Sequence, residues 1–208
     1  MSEPTVRELL PVGRTALVLQ ELQNGIVGAE STFPALAEAA AQIGVIGNAA
    51  RLAAAARAVG VPVVHATAEN LPNGFGANRN ARLFAGALKA GAANAPGTSS
   101  VRPVPEVYAE GDLVLPRHHG LSPMADGRLD ALLRNAGITS ILVAGVSLNI
   151  AIPGLVFDAV NRSYRVVLAT DAVAGTPLEY GAQVIEHCLR LVATPTGTEA
   201  VLEAWRLP

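Results

Sequence analysis

The chain has 208 residues, half of them apolar, and its fifteen basic and seventeen acidic residues give a formal net charge of −2. This length and apolar content predict one domain, residues 1–208, with a core that needs neither disulfide nor metal. The balanced charge, without a basic block, argues against nucleic acid as a partner. Because no apolar run could span a membrane and the amino terminus lacks a signal-peptide pattern, we expect a cytoplasmic protein without a membrane partner.

Five short runs rich in Val, Leu and Ile predict strands. Each is bounded by Gly, Pro or polar residues, and most precede a stretch with helical periodicity. This alternation predicts βα units, so the expected fold class is α/β, a three-layer α/β/α Rossmann-like fold with a mostly parallel central sheet. The runs are TALVLQ from Thr15, VPVVHA from Val61, DLVLP from Asp112, TSILVAG from Thr139 and YRVVLA from Tyr164.

Helices are predicted in three stretches. An Ala-rich one, 34–60, ends at Gly60, and a second begins at the N-cap-like Asp126 and stops at Gly137. The third starts at Glu179, and its apolar residues at 184, 185, 188, 189 and 192 should face the sheet. The Gly-, Asn- and Ala-rich segment 68–100 is predicted to be a loop, a lid or an interface arm. The tail PTGTEAVLEAW after Thr194 is predicted to form a short closing helix.

Candidate site residues follow directly after three of the predicted strands. In a parallel sheet, binding sites lie beyond the carboxyl ends of the central strands. An acid, a base and a turn of exposed amides are therefore expected to converge there. These residues are Glu21, Leu22, Gln23 and Asn24 after the first run, Arg117, His118, His119 and Gly120 after the third, and residues 145–151, which include Ser147, Asn149 and Ala151, after the fourth.

Three stretches in this order resemble one known family. TALVLQELQNG looks like the family's TALLVIDMQND opening, and VLPRHHGLSPMADGRLDALLRNAGI looks like its lysine-containing strand with the following helix. VAGVSLNIAIPGLVFDAVNRSYRVVLATDAVAG is similar to its GV-x-T-x-x-C block with the later Asp-Ala. The family is the isochorismatase-like superfamily, also called the cysteine hydrolase family, which includes nicotinamidases, N-carbamoylsarcosine amidases and isochorismatases.

The resemblance implies a member that lacks the catalytic cysteine. The family's catalytic Asp, Lys and Cys fall by position on Glu21, Arg117 and Ala151, and the Thr of the block falls on Leu148. The resemblance also implies a homo-oligomer, a cis peptide between Val146 and Ser147, and an oxyanion hole formed by the main-chain amides of Ser147 and Ala151.

These replacements restrict the possible chemistry. The methyl group of Ala151 cannot attack a carbonyl, which excludes covalent catalysis at that position. A guanidinium stays protonated, so Arg117 can hold charge but cannot shuttle a proton, and Glu21 is left as the proton carrier. Isochorismatases of siderophore and phenazine pathways, within the same resemblance, also lack the cysteine and cleave a vinyl ether by protonation.

We therefore predict a hydrolase that cleaves a C–N or C–O bond of a small-molecule amide, urea or vinyl ether by a non-covalent mechanism, with Glu21 as acid or base. The alternative is a catalytically inactive member that binds a ligand or a partner protein, with Glu21 and Arg117 as a structural ion pair. The residues predicted to bind substrate are Ser147, Asn149, Gln23, His118 and His119.

Several of these side chains also have a structural interpretation. A histidine pair in a loop often caps a helix or meets solvent, and Gln23 and Asn24 could bond neighbouring loops. Arg79 and Arg82 could clamp a substrate carboxylate or be solvated surface. Cys188 is predicted to be a buried, catalytically dispensable residue in mid-helix, His65 to be structural at a strand end, and Asp171 to cap a turn. Since CxxC and HExxH spacings are absent and HATAEN stands where nicotinamidases carry metal ligands, no metal or cofactor is expected.

Overall fold

A computed structural model describes residues 4–89 and 94–206. Within these ranges the chain forms a six-stranded sheet in the order β3-β2-β1-β4-β5-β6, and every pairing of neighbouring strands is parallel. All five predicted strands are present, although β2 begins two residues later than predicted and β5 continues further. The short sixth strand was not predicted. The strands are β1 (Thr15–Gln20), β2 (Val63–Ala68), β3 (Leu113–Arg117), β4 (Ser140–Val146), β5 (Arg165–Ala174) and β6 (Thr194–Thr196).

Helices cover both faces of the sheet. One buried apolar cluster joins β1, β4 and β5 to α2, α3 and α8, and a second joins the same strands to α5, α6 and α7. The three-layer α/β/α architecture is therefore confirmed. None of the described helices is both long and apolar enough to cross a membrane. The helices are α1 (Val6–Leu9), α2 (Pro34–Ile43), α3 (Val45–Ala58), α4 (Arg82–Lys89), α5 (Arg128–Asn135), α6 (Ala151–Asn161), α7 (Leu178–His187) and α8 (Thr198–Trp205).

Alternation along the central strands explains the two clusters. In β1, Leu17 and Leu19 belong to the first cluster, and Ala16 and Val18 belong to the second. Successive side chains of a strand point to opposite faces, so a strand that is buried on both sides reads as a continuous apolar run. The small side chains of the Ala-rich α3 let this helix pack closely against the sheet, where Ala49, Ala53 and Ala56 are fully buried.

Three helix predictions need correction. The Ala-rich segment is two helices, because Gly44 adopts a left-handed conformation at φ 81° between them. Gly127, not Asp126, caps α5, although the Asp126 carboxylate accepts a hydrogen bond from the Arg128 amide. The third helix starts at Leu178 and ends at His187.

The end of α7 changes the interpretation of Cys188. This residue is the half-buried C-cap of α7 and does not lie in mid-helix, although it packs with Val184 and Ile185 against the second apolar cluster. A 3-10 turn then buries Leu189, whereas Val192 is exposed and does not face the sheet. A helical period cannot be continued past a cap, which is why the apolar stripe fails at residue 192.

Segment 68–100 contains the short helix α4, which was not predicted. This helix alone does not show whether the segment is a loop, a lid or an interface arm. Its residues 90–93 lie outside the described residues. After Thr194, the predicted closing helix is present as α8.

Two backbone features shape the carboxyl edge of β1 and β4. Gly145 has a φ of 115°, and a Cβ at this position would lie 2.1 Å from the Gln20 carbonyl oxygen, so only glycine permits this approach. Glu21, directly after β1, has a φ of 52°, which is uncommon for a residue with a side chain. The chain is thus forced to turn sharply where the site residues begin.

Candidate active site

A cavity of about 540 Å³ lies beyond the carboxyl ends of the central strands. It brings together residues that are far apart in sequence, as the strand-end argument predicted. Seven of the eight predicted site residues contribute to its lining, and Gln23 is the exception. Those seven are Glu21, Arg117, His118, His119, Ser147, Asn149 and Ala151.

Glu21 and Arg117 form an ion pair in the cavity wall. The guanidinium Nη2 of Arg117 donates to Oε1 of Glu21, and Nη1 donates to the Gly120 carbonyl. Oε1 of Glu21 also accepts a hydrogen bond from Nε2 of Gln20 at 2.9 Å. The two side chains are only 13% and 16% exposed, so the pair is shielded from bulk solvent on most sides.

Two polar atoms of this ion pair have no hydrogen-bond partner among the described residues. Within residues 4–89 and 94–206, Oε2 of Glu21 has no hydrogen-bond donor, and the buried Nε of Arg117 has no acceptor. Buried polar groups are usually paired, and such exceptions mark places where a ligand or water can bind. Because Glu21 lines the cavity, its second carboxylate oxygen is available to a molecule bound there.

The turn after β4 supplies the amides. The Val146–Ser147 peptide is cis, as the resemblance implied. Ala151 is the first residue of α6, and the first amides of a helix have no acceptor within the helix. In the described parts of the chain, neither the Ser147 amide nor the Ala151 amide has an acceptor, whereas the neighbouring Leu148 amide donates to Ala174. Both residues line the cavity, so both N–H groups are available to an oxygen atom.

Asn149 and Gln23 have structural roles. The Asn149 carboxamide donates to the Thr176 carbonyl at 2.7 Å and accepts from the Thr176 amide at 2.9 Å, so it fixes the turn even though Asn149 lines the cavity. The fully buried Gln23 bonds both the amide and the carbonyl of Ala68. The described lining of the cavity does not include Gln23, so its substrate contact stays a prediction, whereas bonds to neighbouring loops are observed for Gln23 and for Asn24, whose side chain donates to the Ser99 carbonyl.

Glu69 was not predicted as a site residue. It follows β2, lines the cavity, and places Oε2 3.4 Å from Nε2 of His118. Its amide donates to the Arg117 carbonyl at 2.9 Å, which ties the ends of β2 and β3 together. The strand-end rule would have found Glu69 if the run VPVVHA had been extended to Ala68, where β2 ends.

An apolar wall was also missed. It comes mainly from the segments before α2, in α4 and after β3, whose sequences show no pattern that marks a binding site. The presence of α4 in this wall favours a cavity wall as the role of segment 68–100. The apolar lining residues with the largest side chains are Ile26, Phe33, Leu36, Leu83, Phe84, Leu121 and Ile150.

Several other polar side chains are structural. Asp171 caps α8, because its carboxylate accepts hydrogen bonds from the amide and the hydroxyl of Thr198. His65 lies inside β2, not at its end, and bonds Asp112, which also binds Arg57. Among the described residues that line the cavity there is no Cys188, Arg79 or Arg82, and both arginines are exposed.

The described residues contain no group of three or more His, Cys, Asp and Glu side chains that could hold a metal ion. Glu21, Glu69 and His118 line the same cavity without forming such a group. Independence from metal stays a prediction.

Solved structures share the fold over nearly the whole chain. A cysteine hydrolase from Pseudomonas syringae pv. phaseolicola 1448A is 21% identical with a TM-score of 0.79, covering 99% of this chain and 98% of that one. An isochorismatase family protein from Desulfovibrio vulgaris subsp. vulgaris str. Hildenborough is 26% identical with a TM-score of 0.77, covering 91% and 96%. For N-carbamoylsarcosine amidase from Thermoplasma acidophilum the identity is 24% and the TM-score 0.70, covering 89% and 97%.

No curated protein matches the chain. The model of the isochorismatase domain, in contrast, matches residues 15–200, from the first residue of β1 into α8. This match includes every residue of the site described above. The chain belongs to the isochorismatase family of hydrolases.

Proposed function

We propose that the chain hydrolyses a C–N or C–O bond of a small molecule without a cysteine nucleophile. The observation that carries this proposal is the meeting, in one cavity, of a carboxylate oxygen without a donor and two main-chain amides without acceptors, as far as the described residues go. The carboxylate belongs to Glu21, and the amides belong to Ser147 and Ala151. A base and an oxyanion site are the two elements that water attack on a carbonyl requires.

In the proposed reaction, the substrate carbonyl oxygen accepts hydrogen bonds from the Ser147 and Ala151 amides. Oε2 of Glu21 takes a proton from a water molecule while the water oxygen forms a bond to the carbonyl carbon. The resulting tetrahedral oxyanion re-forms the carbonyl as the C–N bond of an amide or urea breaks, and Glu21 returns the proton to the leaving nitrogen. The products are an amine and a carboxylic acid, or a carbamic acid from a urea, so atoms and charge balance.

Arg117 supports this reaction without exchanging a proton. Its guanidinium holds Oε1 of Glu21 and directs the carboxylate, and Gly120 in turn fixes the guanidinium. A hydrogen bond from an ionised donor is about twice as strong as a neutral one. Arg117 is therefore proposed to hold the Glu21 carboxylate in the orientation in which Oε2 accepts the proton.

The same residues would serve a vinyl ether by the reverse use of Glu21. A protonated Glu21 would donate its proton to the vinyl carbon, and water would then add to the resulting cation and return a proton to Glu21. The hemiketal formed in this way would break its C–O bond to give a carbonyl compound and an alcohol. Protonating Glu21 would give up its ion pair with Arg117, whereas base-assisted cleavage starts from the paired carboxylate. Base-assisted cleavage of an amide or urea is therefore the better supported of the two reactions.

A second candidate is a catalytically inactive family member that binds a ligand. The specific observation in its favour is that Gln20 and Gly120 already satisfy part of the Glu21–Arg117 pair, as expected for a structural ion pair. The apolar wall of the cavity would serve such a ligand equally well.

A substrate screen separates the two candidates. Amides, ureas and vinyl ethers are tested with the native protein, with Glu21→Gln and with Glu110→Gln, a matched control at an exposed position outside the described lining. We expect turnover that falls at least about a hundredfold in Glu21→Gln, the range typical of a lost acid or base, and stays unchanged in the control. Turnover that survives Glu21→Gln contradicts the proposed role, and binding without turnover favours the inactive member.

Three accompanying proposals rest on the resemblance and the sequence. The chain is proposed to be one domain, to assemble as a homo-oligomer, and to act without a metal or cofactor. Light scattering measures the oligomeric state and a single cooperative unfolding transition supports one domain. Stoichiometric zinc or iron in elemental analysis of the native protein would contradict the absence of a metal requirement.

A further inference from the structure

The charges in the cavity wall are unevenly matched. Among the described residues that line it, Glu21 and Glu69 carry carboxylates, and Arg117 carries the permanent positive charge. With the histidines neutral, these three groups sum to a negative charge. A bound molecule would therefore meet no positive surplus from these side chains.

Arg117 is already engaged. Its two terminal nitrogens donate to Glu21 and to the Gly120 carbonyl, so its charge is offset by the adjacent carboxylate. To bind a substrate carboxylate, Arg117 would have to leave Glu21, and the carboxylate of Glu21 would then lie in the wall without its cation. Breaking a shielded ion pair in this way is strongly unfavourable.

Glu69 adds a second negative group without a permanent cation beside it. Its side chain is 12% exposed, and Oε2 of Glu69 lies 3.4 Å from Nε2 of the His118 imidazole. The two arginines that could have clamped a substrate carboxylate, Arg79 and Arg82, are exposed and are not among the described lining residues. The wall near Glu69 therefore repels an anion.

The neutral donors and the apolar wall indicate what the cavity can accept. The amides of Ser147 and Ala151 suit one carbonyl oxygen, and aromatic and aliphatic side chains such as Phe33, Phe84 and Leu121 suit an uncharged, apolar body. A neutral carbonyl compound uses both features without placing a second negative charge beside Glu69.

We propose, on the basis of the proposed function, that the substrate is a neutral carbonyl compound with an apolar body, and that Glu69 is a specificity-determining residue that excludes the anionic counterpart. The discrimination is electrostatic. It acts on binding, and it does not require Glu69 to take part in the hydrolytic step.

Three probes of nearly equal shape test this proposal, namely benzamide, benzoate and benzamidine, which are neutral, negative and positive. Binding is measured from amide chemical shifts in NMR titrations at about pH 8, where an ordinary histidine is neutral. We expect benzoate to bind at least about tenfold more weakly than benzamide, which corresponds to about 1.4 kcal/mol. Benzamidine should bind at least as well as benzamide.

Two variants identify the responsible group. In Glu69→Gln, the benzamide-to-benzoate preference should shrink at least about threefold, because one of the repelling charges is removed. In Glu110→Gln, which has the same change at an exposed position, the preference should stay the same. The NMR spectrum of each variant shows directly whether the fold is retained, and the preference of the native protein tests the proposal without any variant.

Benzoate binding as tight as benzamide binding in the native protein would overturn the proposal, as would failure of all three probes to shift cavity resonances. A preference that is unchanged in Glu69→Gln would overturn the role of Glu69. These results are independent of the hydrolytic proposal. Turnover of anionic substrates would leave that proposal intact and refute this one, and a neutral preference without turnover would do the opposite.

Discussion

Two shielded ion-pair clusters in the described part of the chain differ in how completely their polar atoms are bonded. In the first, Arg57 binds both oxygens of Asp112, and His65 and the Ala109 amide donate to Oδ2. In the second, Arg117 binds one oxygen of Glu21, and the other oxygen has no donor among the described residues. The first cluster lies outside the described lining of the cavity, and the second forms part of that lining.

This difference separates a structural ion pair from a candidate active site. Asp112 receives four hydrogen bonds and is 5% exposed, so its charge is compensated within the protein. Glu21 is similarly shielded, but within the described ranges one of its oxygens has no donor, and the Ser147 and Ala151 amides that line the same cavity have no acceptors. Both clusters are ion-paired and shielded from solvent. They differ in that the second cluster lines a cavity, where it has a carboxylate oxygen without a hydrogen-bond donor among the described residues.

The largest effect on stability is expected from Asp112→Asn. The change leaves the Arg57 and His65 side chains without a carboxylate partner, and breaking a buried pair costs about 3 kcal/mol or more. We expect the free energy of unfolding in urea denaturation to fall by about 3 kcal/mol. This is the low end of the usual range for a buried ion pair, because the Arg57 side chain is 30% exposed. Ligand binding in the cavity should be unchanged. A loss of stability no greater than that of the exposed control Glu110→Gln would contradict the structural role.

The first cluster also predicts how stability depends on pH. Burial lowers the pKa of the His65 imidazole below its usual 6.5, although the bond to Asp112 opposes this shift. As the pH falls below 6.5, the unfolded chain binds a proton on His65 before the folded protein does. The contribution of neutral His65 to stability is therefore fully present above pH 6.5 and is lost as the pH falls through the lowered pKa. Unfolding free energies measured across this range should show the decline in the native protein and a smaller one in His65→Gln. Equal declines would contradict this assignment.

At lower pH a second loss should follow. Burial alone would raise the pKa of the Asp112 carboxyl, but hydrogen bonds from Arg57, His65 and the Ala109 amide outweigh it and hold the pKa below its usual 3.8. The ionised form is therefore favoured in the folded state, and its contribution is present above pH 3.8 and lost as the pH falls through the lowered pKa. The loss of stability that comes from protonation of Asp112 should therefore begin at a lower pH than the loss of stability that comes from His65.

Glu21→Gln should affect stability less than Asp112→Asn. The glutamine can still accept from Arg117 and Gln20, and the guanidinium keeps its bond to Gly120. We expect a loss of about 2 kcal/mol in urea denaturation, less than for Asp112→Asn because Glu21 receives two hydrogen bonds and Asp112 receives four. The larger consequence should be the loss of turnover. A loss of stability as large as that of Asp112→Asn would mean that the second cluster is structural as well.

The smallest effect is expected from Cys188→Ser. The side chain is half-buried at the end of α7 and is not among the described lining residues of the cavity, so binding and turnover should not change. The free energy of unfolding should change by about 0.5 kcal/mol or less. Thiol alkylation under native conditions should likewise leave turnover unchanged. Parallel losses of turnover in both experiments, with the fold intact by circular dichroism, would show that Cys188 takes part in the reaction.

Much of the fold could be predicted because the central strands are buried on both faces. Their sequences are nearly continuous apolar runs, and the run TALVLQ coincides with β1. The three-residue β6, Thr194–Thr196, carries one apolar residue between two threonines and has no such signal. The break at Gly44 could not be predicted from an Ala-rich pattern, because glycine within such a helix is tolerated in some contexts and terminates it in others.

The site was predictable where it follows a recognisable strand. The meeting of Glu21, Arg117 and the turn before Ala151 in one cavity could be predicted because β1 ends where its apolar run ends, and β3 and β4 end one residue later than theirs. Glu69 was missed because β2 continues through Thr67, beyond the apolar run. The hydrogen bonds of Gln23 could not be predicted, because they depend on the position of Ala68 in another segment, and local sequence does not contain that contact. Phe33 and Phe84 reach the cavity only through tertiary packing.

Glu21, Arg117 and the start of α6 are proposed to act together at position 151. A cysteine introduced there measures this directly, so Ala151→Cys is prepared in a Cys188→Ser background and its thiolate absorbance is followed against pH. The start of a helix and a nearby guanidinium both stabilise a thiolate. We expect a normally folded protein whose new thiol has a pKa clearly below the free value of about 8.5.

Adding Glu21→Ala to that variant sharpens the result. Removal of a nearby negative charge favours the thiolate, so we expect the pKa of the introduced thiol to fall further. A rise would mean that Glu21 acts mainly by holding Arg117 in place. If the pKa of the introduced cysteine is not lowered below that of a free thiol, Arg117 and the start of α6 do not converge on position 151, and the proposed site is wrong.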